Sequence, residues 1–178
     1  MILSDVEIMK EIEQGNILIE PYDSNCLGTN SYDVHLGKYL ANYVDSELDA
    51  RKHNKIETFK IPEEGFVLQP NKLYLGVTKE YTETHAHVPF LEGKSSTGRL
   101  GIDIHATAGK GDVGFCNTWT LEISVTNPVR IYEGMPIGQL IYFVVDGEIE
   151  RKYNDKPNAK YNDRTLKPVE SMMWKNEW

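Results

Sequence analysis

Three short segments hold residue types that could do chemistry. The first is Glu92-Gly93-Lys94-Ser95-Ser96-Thr97-Gly98-Arg99-Leu100-Gly101. Glycines and a Ser-Ser pair follow a strand-like run and surround one helical turn. Backbone N–H groups at such a turn can cradle an oxyanion, with the hydroxyls adding donors. Lys94 and Arg99 supply positive charge. The pattern GxxxxGK[ST] is absent, so this is not a Walker loop. A capped turn with solvated cations fits the same residues. The second segment is His105-Ala106-Thr107-Ala108-Gly109-Lys110-Gly111-Asp112-Val113-Gly114-Phe115. Its small residues let the backbone pass close to a flat ligand. Asp112 sits at a hairpin, where an Asp also commonly caps the turn, and Phe115 suits either a ligand wall or the core. The third is Thr118-Trp119-Thr120-Leu121-Glu122-Ile123-Ser124-Val125. Strict alternation puts Trp119, Leu121, Ile123 and Val125 on one face and Thr118, Thr120, Glu122 and Ser124 on the other. Glu122 is the one charge on its face. It is either a solvated carboxylate or a groove-lining one, shielded enough for its pKa to rise toward general acid–base use.

The elements that must position these residues are mostly strands. Ser4 and Glu7 fit a capping box, Ile8, Met9 and Ile12 share one helical face, and Gly15 offers a left-handed stop. Beyond Gly15 the period becomes strand-like, with runs at 17–19, 32–36, 55–61, 65–68, 73–78, 87–91, 102–105, 118–125 and 138–145. Turn signals at 62–65, 69–71, 127–128 and 132–134 separate them. Many short strands at this spacing indicate an all-β sandwich or barrel. A βαβ fold needs helices between its strands, and after Gly15 only 95–99 reads as a helical turn.

With 178 residues the chain suits one domain, 1–178. Its 19 basic and 27 acidic residues leave a net charge of −8, which disfavours duplex nucleic acid and anionic membranes as partners. A small polyanion needs only a few placed cations and stays compatible. No apolar run approaches the ~20 residues of a membrane span. The opening Met1-Ile2-Leu3-Ser4-Asp5 is not a basic-then-apolar leader. The two cysteines, Cys26 and Cys116, lie far apart, so no disulfide framework is expected and a cytoplasmic location is the default. From about residue 150 the chain turns polar, basic and tyrosine-rich. Segment 150–178 reads either as a frayed terminus or as a lid ordered by an anion.

The three segments, in this order, resemble the dCTP deaminases of the dUTPase-like trimeric superfamily. Met1–Ser4, Ser31-Tyr-Asp-Val-His-Leu-Gly37, Gly134-Met-Pro-Ile-Gly-Gln-Leu140 and Ala159-Lys-Tyr161 extend the likeness over nearly the whole chain. The resemblance implies a distorted jelly roll (a dUTPase-like β-clip barrel), a homotrimer, and active sites shared between subunits. By the same likeness Glu122 aligns with the catalytic carboxylate, and Ser95 and Arg99 with residues holding that carboxylate and the attacking water. Lys94, Ser95 and Ser96 fall where one subunit meets the phosphates. Tyr153, Lys160 and Arg164 fall where the tail closes over the triphosphate. Thr107 and Ala108 fall where backbone reads the cytosine edge, and Phe115 where a ring packs on deoxyribose. Three residues depart from the family pattern. Lys94 replaces the usual Arg, turning a bidentate clamp into a point charge; Val113 stands where Pro is common; Arg164 stands where Gln often is.

Deamination of cytosine needs a water at C4, a proton on N3 and a protonated leaving amine. Zinc deaminases bind metal through an HxE…PCxxC set; this chain has no CxxC, and none of its five His is followed by xE. Glu122 is therefore the expected proton shuttle, without zinc, and Mg²⁺ is expected only on the phosphates of the incoming dCTP. dUTP and dTTP are related nucleotides for the same pocket. The expected products are dUTP and ammonia. Reading Lys110-Gly111 as an insertion and noting the missing Pro, the sequence ranks second a bifunctional reaction giving dUMP and pyrophosphate, with Asp112 orienting a second water. That alternative draws on Ala108-Gly109, a pair found in family members that do both. A non-catalytic nucleotide-binding module is the remaining alternative.

Overall fold

The computed structural model describes residues 1–107 and 109–177. Helix α1 (Asp5–Glu13) begins where Ser4 Oγ accepts the Glu7 N–H at 3.4 Å and ends before Gly15, whose φ of 75° turns the chain away. The Glu7 carboxylate turns to Lys10 at 3.3 Å, so the Ser4 half of the expected capping box is the half that forms. Ile8 is fully buried and fixes the helix to the sheets.

Strands follow in the order β1 (Ile17–Glu20), β2 (Tyr32–His35), β3 (Tyr39–Tyr43), β4 (Ile56–Lys60), β5 (Phe66–Leu68), β6 (Tyr74–Val77), β7 (Tyr81–Thr84) and β8 (His87–Gly93). A single-turn helix α2 (Ser95–Arg99) leads to β9 (Ile102–Asp103), β10 (Cys116–Asn117), β11 (Thr120–Val125), β12 (Val129–Ile131) and β13 (Pro136–Val144). They assemble as small antiparallel sheets ordered β1-β7-β10, β4-β3-β6-β11-β9, β12-β5 and β2-β13-β8. Val34, Leu36, Leu40, Leu68, Leu91, Leu121, Ile123, Ile131 and Leu140 fill the shared interior with no exposed surface. The all-β, jelly-roll-like arrangement matches the expectation. Among the described residues no helix is long and apolar enough to cross a membrane.

Four strands had no clear sequence signal: β3, β7, β10 and β12. In β7 the reason is chemical. Thr82 and Thr84 are buried there with their hydroxyls satisfied: Trp119 Nε1–H donates to Thr82 Oγ1 at 2.9 Å, and Thr84 Oγ1–H donates to the His87 carbonyl at 2.6 Å. A buried strand made of threonines shows no apolar alternation.

The tail is docked along the body. The Tyr153 N–H donates to the Val113 carbonyl at 2.8 Å, and Asn117 Nδ2 donates to the Tyr161 and Asp163 carbonyls at 3.1 and 2.9 Å. Thr118 Oγ1–H reaches the Thr165 carbonyl at 2.7 Å, and the Val169 N–H reaches Thr120 Oγ1 at 3.1 Å. Thr118, expected on the face away from the core, is buried, with its hydroxyl held by the tail.

Candidate active site

Strand β11 sets the site. It pairs with β6, with Glu122 opposite Leu75, and its far end pairs with β9. Leu121, Ile123 and Val125 enter the core while Thr120, Glu122 and Ser124 stay half-buried on the other face. Above that face lies a cleft of about 510 Å³, within the ~300–1,000 Å³ typical of small-molecule sites. Glu122 lies on its floor, residues of the 105–112 loop form one side, and Tyr153, Tyr161 and Val169–Ser171 of the tail close another.

The Glu122 carboxylate faces two groups from this loop. Ala106 N–H donates to Oε2 at 3.4 Å, and His105 Nδ1 lies 3.5 Å from the same oxygen. The other His105 nitrogen, Nε2, is 2.8 Å from the Leu91 carbonyl. The Glu122 side chain keeps 38% of its surface exposed, so the shielding expected of it is only partly supplied within one chain. His105 was not singled out as a site residue; the only available signal was an ionisable ring within a small-residue segment ahead of the expected hairpin.

The segment expected as a hairpin is instead a long loop, since β9 pairs with β11 and β10 with β7, and the loop is held tightly against β8. Leu91 N–H donates to the Gly109 carbonyl at 2.8 Å, and a Cβ on Gly109 would sit 1.8 Å from the Leu91 oxygen. Only glycine fits there. Lys110 bridges to Phe90, and Gly111 N–H donates to the Pro89 carbonyl at 2.8 Å. Asp112 then lines the cleft with Lys110 at 3.1 Å and Lys156 of the tail at 3.5 Å. Partial burial pushes its carboxyl upward, but the two lysines outweigh that and hold it below its ordinary value of 3.8. Phe115 stands against Trp119 at 4.9 Å and edge-on to Tyr153 at 5.8 Å, giving the cleft an aromatic wall.

Of the sequence candidates, Glu122, Thr107, Asp112, Phe115 and Tyr153 thus converge on one cleft. Ala108 lies outside the described residues. The α2 group does not line this cleft. Ser95, Ser96 and Arg99 are exposed, and among the described residues none of the three makes a side-chain hydrogen bond or ion pair. Lys94 is half-buried in an ion pair with Asp33 of β2. Two tail cations are also elsewhere: Lys160 bonds to Asn176, while Arg164 lies 4.0 Å above the Tyr81 ring and 3.4 Å from Glu20.

Floored by a carboxylate and walled by aromatic rings, the cleft of this antiparallel β-fold has the size and lining of a small-molecule site. The chain belongs to the dCTP deaminase-like family, whose model matches residues 2–145. It is 52% identical over 159 residues to a protein from Leptospira biflexa named "dCTP deaminase, dUMP-forming", covering 89% of this chain and 91% of the relative. A protein of the same name from Cytophaga hutchinsonii is 46% identical over 177 residues, covering 99% and 98%. The crystal structure of 2′-deoxycytidine 5′-triphosphate deaminase from Agrobacterium tumefaciens aligns with a TM-score of 0.64 at 21% identity. That match covers 81% of this chain but 48% of the other, and it speaks for the fold alone.

These relatives correct one expectation. The sequence reading ranked dUTP and ammonia first as products, whereas the relatives are named for forming dUMP. The error lay in treating Lys110-Gly111 as an insertion that displaces Asp112. Both residues are built into the contact with β8, and a Cβ on Gly111 would meet the Trp119 ring at 2.6 Å. Asp112 still reaches the cleft, and Val113 in place of Pro is simply buried.

Proposed function

We propose that this protein converts dCTP and two waters to dUMP, ammonia and pyrophosphate. The observation that carries the reading is the pair of carboxylates, Glu122 and Asp112, lining one cleft. High identity to relatives named for the dUMP-forming reaction supports it.

In the first step Glu122 takes a proton from a water attacking C4. It delivers that proton to N3, then takes the second proton from the new C4 hydroxyl and passes it to the amine, which leaves as ammonia while C4=O forms; such shuttling typically contributes about 10²–10⁴-fold. In the second step Asp112, held ionised by its lysine neighbours, orients a water toward the α-phosphorus, and pyrophosphate leaves. Thr107 reads the cytosine edge through its backbone, and Phe115 packs on the deoxyribose. Mg²⁺ arrives as part of the nucleotide, on its phosphate oxygens.

A homotrimer completes the site. The exposed Ser95, Ser96 and Arg99 of one subunit meet the cleft of the next, where Ser95 and Arg99 hold the water and Glu122, and Ser96 meets a phosphate. Lys94 also meets the phosphates, with part of its charge offset by Asp33. Segment 150–178 acts as the lid, with Tyr153 already at the cleft and Lys160 and Arg164 moving in when the triphosphate binds. The enzyme works in the cytoplasm.

Incubation with dCTP followed by chromatography and an ammonia assay tests the reaction. dUMP, pyrophosphate and ammonia should appear in equal amounts. Accumulation of dUTP as the end product, or no ammonia, would overturn it.

A further inference from the structure

A second cluster of ionisable groups lies on the other side of β10. Phe115 and Asn117 line the cleft, and strand alternation turns the intervening Cys116 away from it. Cys116 is paired across the sheet with Glu83 of β7, and His85 follows two residues after Glu83. Among the described residues these three form the one group of three ligand-type side chains whose donor atoms all lie within 4.8 Å of one another, each half-buried. We infer that Glu83, His85 and Cys116 form a zinc site distinct from the catalytic cleft.

The donor set matches the metal. Thiolate, imidazole and carboxylate together suit Zn²⁺, and three protein ligands leave a fourth position for water. A tetrahedral zinc holds its ligand atoms roughly 3.3–3.6 Å apart, given Zn–S near 2.3 Å and Zn–N or Zn–O near 2.0–2.1 Å. His85 Nε2 and Glu83 Oε2 are now 2.8 Å apart, so they must spread slightly, and the Cys116 sulfur already lies within 4.8 Å of both. Half-buried side chains at strand ends can do this by rotation. The outer partners are also present. Tyr81 O–H donates to Glu83 Oε1 at 2.8 Å, leaving Oε2 for the metal, and the backbone N–H of His85 donates to the Asn16 carbonyl at 2.9 Å, which fixes the chain that carries the ring. Cys116 loses its thiol proton on binding, so thiolate and carboxylate together balance the charge of Zn²⁺. The ion would clasp β7 to β10 from behind the cleft wall and take no part in deamination.

Titration of the full-length protein with Co²⁺, followed by competition with Zn²⁺, tests the site. About one Co²⁺ per chain should bind, with a thiolate-to-cobalt charge-transfer band that Zn²⁺ abolishes. The band should vanish in Cys116→Ser and persist in Cys26→Ser. In Glu83→Gln and His85→Gln the affinity should fall more than about tenfold, since even outer-shell partners are worth about 10–100-fold. Circular dichroism confirms that each variant is folded. No band in the wild type, a band that survives Cys116→Ser, or one lost in folded Cys26→Ser overturns the inference.

Discussion

His105 stands between a backbone carbonyl and the Glu122 carboxylate, with Nε2 2.8 Å from Leu91 O and Nδ1 3.5 Å from Glu122 Oε2. A carbonyl oxygen can only accept, so Nε2 carries the hydrogen and the ring orientation is fixed. Nδ1 is left facing Glu122, close enough for a small shift to pair the two. In the reaction proposed above Glu122 gains and loses a proton in each turnover, and His105 is the side chain placed to steady it.

Replacing His105 by Ala should therefore lower kcat by about 10–100-fold, below the full general acid–base contribution, with KM for dCTP changed less than about threefold. Steady-state kinetics of ammonia release measures both. Loss of affinity at unchanged kcat would assign His105 to binding instead.

Asp112→Asn separates the two half-reactions. Deamination should continue while pyrophosphate release falls at least about 100-fold, and dUTP should appear as a product in this variant alone. Product chromatography gives both rates from one reaction. Equal loss of both would place Asp112 in binding rather than in hydrolysis.

Gly109→Ala forces a Cβ into the Leu91 carbonyl and past His105 Nε2, at 1.8 and 2.6 Å. Backbone must move to relieve this, so the variant should lose roughly 3 kcal/mol or more in urea unfolding and lose activity with it. Gly98→Ala, with nothing within 4 Å of the added carbon, is the matched control and should change stability by less than about 1 kcal/mol.

Glu11 of α1 and His87 of β8 meet at 3.0 Å with 14% and 10% of their side chains exposed. Burial pushes the Glu11 carboxyl up, but the close contact with His87, the hydrogen bond from Asn16 Nδ2 at 2.8 Å and the charges of His87 and Lys10 hold it below its ordinary 4.5. A depressed carboxyl makes the unfolded chain the better proton binder. Its stabilisation is therefore complete above pH 4.5 and fades as pH falls through the folded-state value below that. Glu11→Gln should cost about 1–3 kcal/mol near neutrality, and its gap to wild type should narrow below pH 4.5. Urea denaturation across pH 3–7 reads this directly.

Much of this was legible in the residue order, and the exceptions have physical causes. Alternation in 120–125 placed Glu122 on the non-core face, where the structure has it. Glycines and turn residues marked the turn at Asp112, but not that the chain on its two sides pairs with different strands. Strand β7 escaped notice because buried threonines satisfied by Trp119 and a backbone carbonyl look polar in sequence. The tail read first as a frayed terminus and only second as a lid, since its anchors are backbone carbonyls gripped by Asn117 and Thr118, and carbonyls carry no signature in side-chain patterns. The distance of Ser95 and Arg99 from the cleft could not be read from one chain's periodicity at all, because it is a matter of tertiary placement.

The most direct measurement is ammonia release from dCTP by Glu122→Gln, made beside calorimetric titration with dCTP. The amide keeps the size and polarity of the side chain but cannot take a proton from water. Turnover should fall by at least about 100-fold while dCTP still binds within a few-fold of wild type. Ammonia release at the wild-type rate would mean that another group moves the proton.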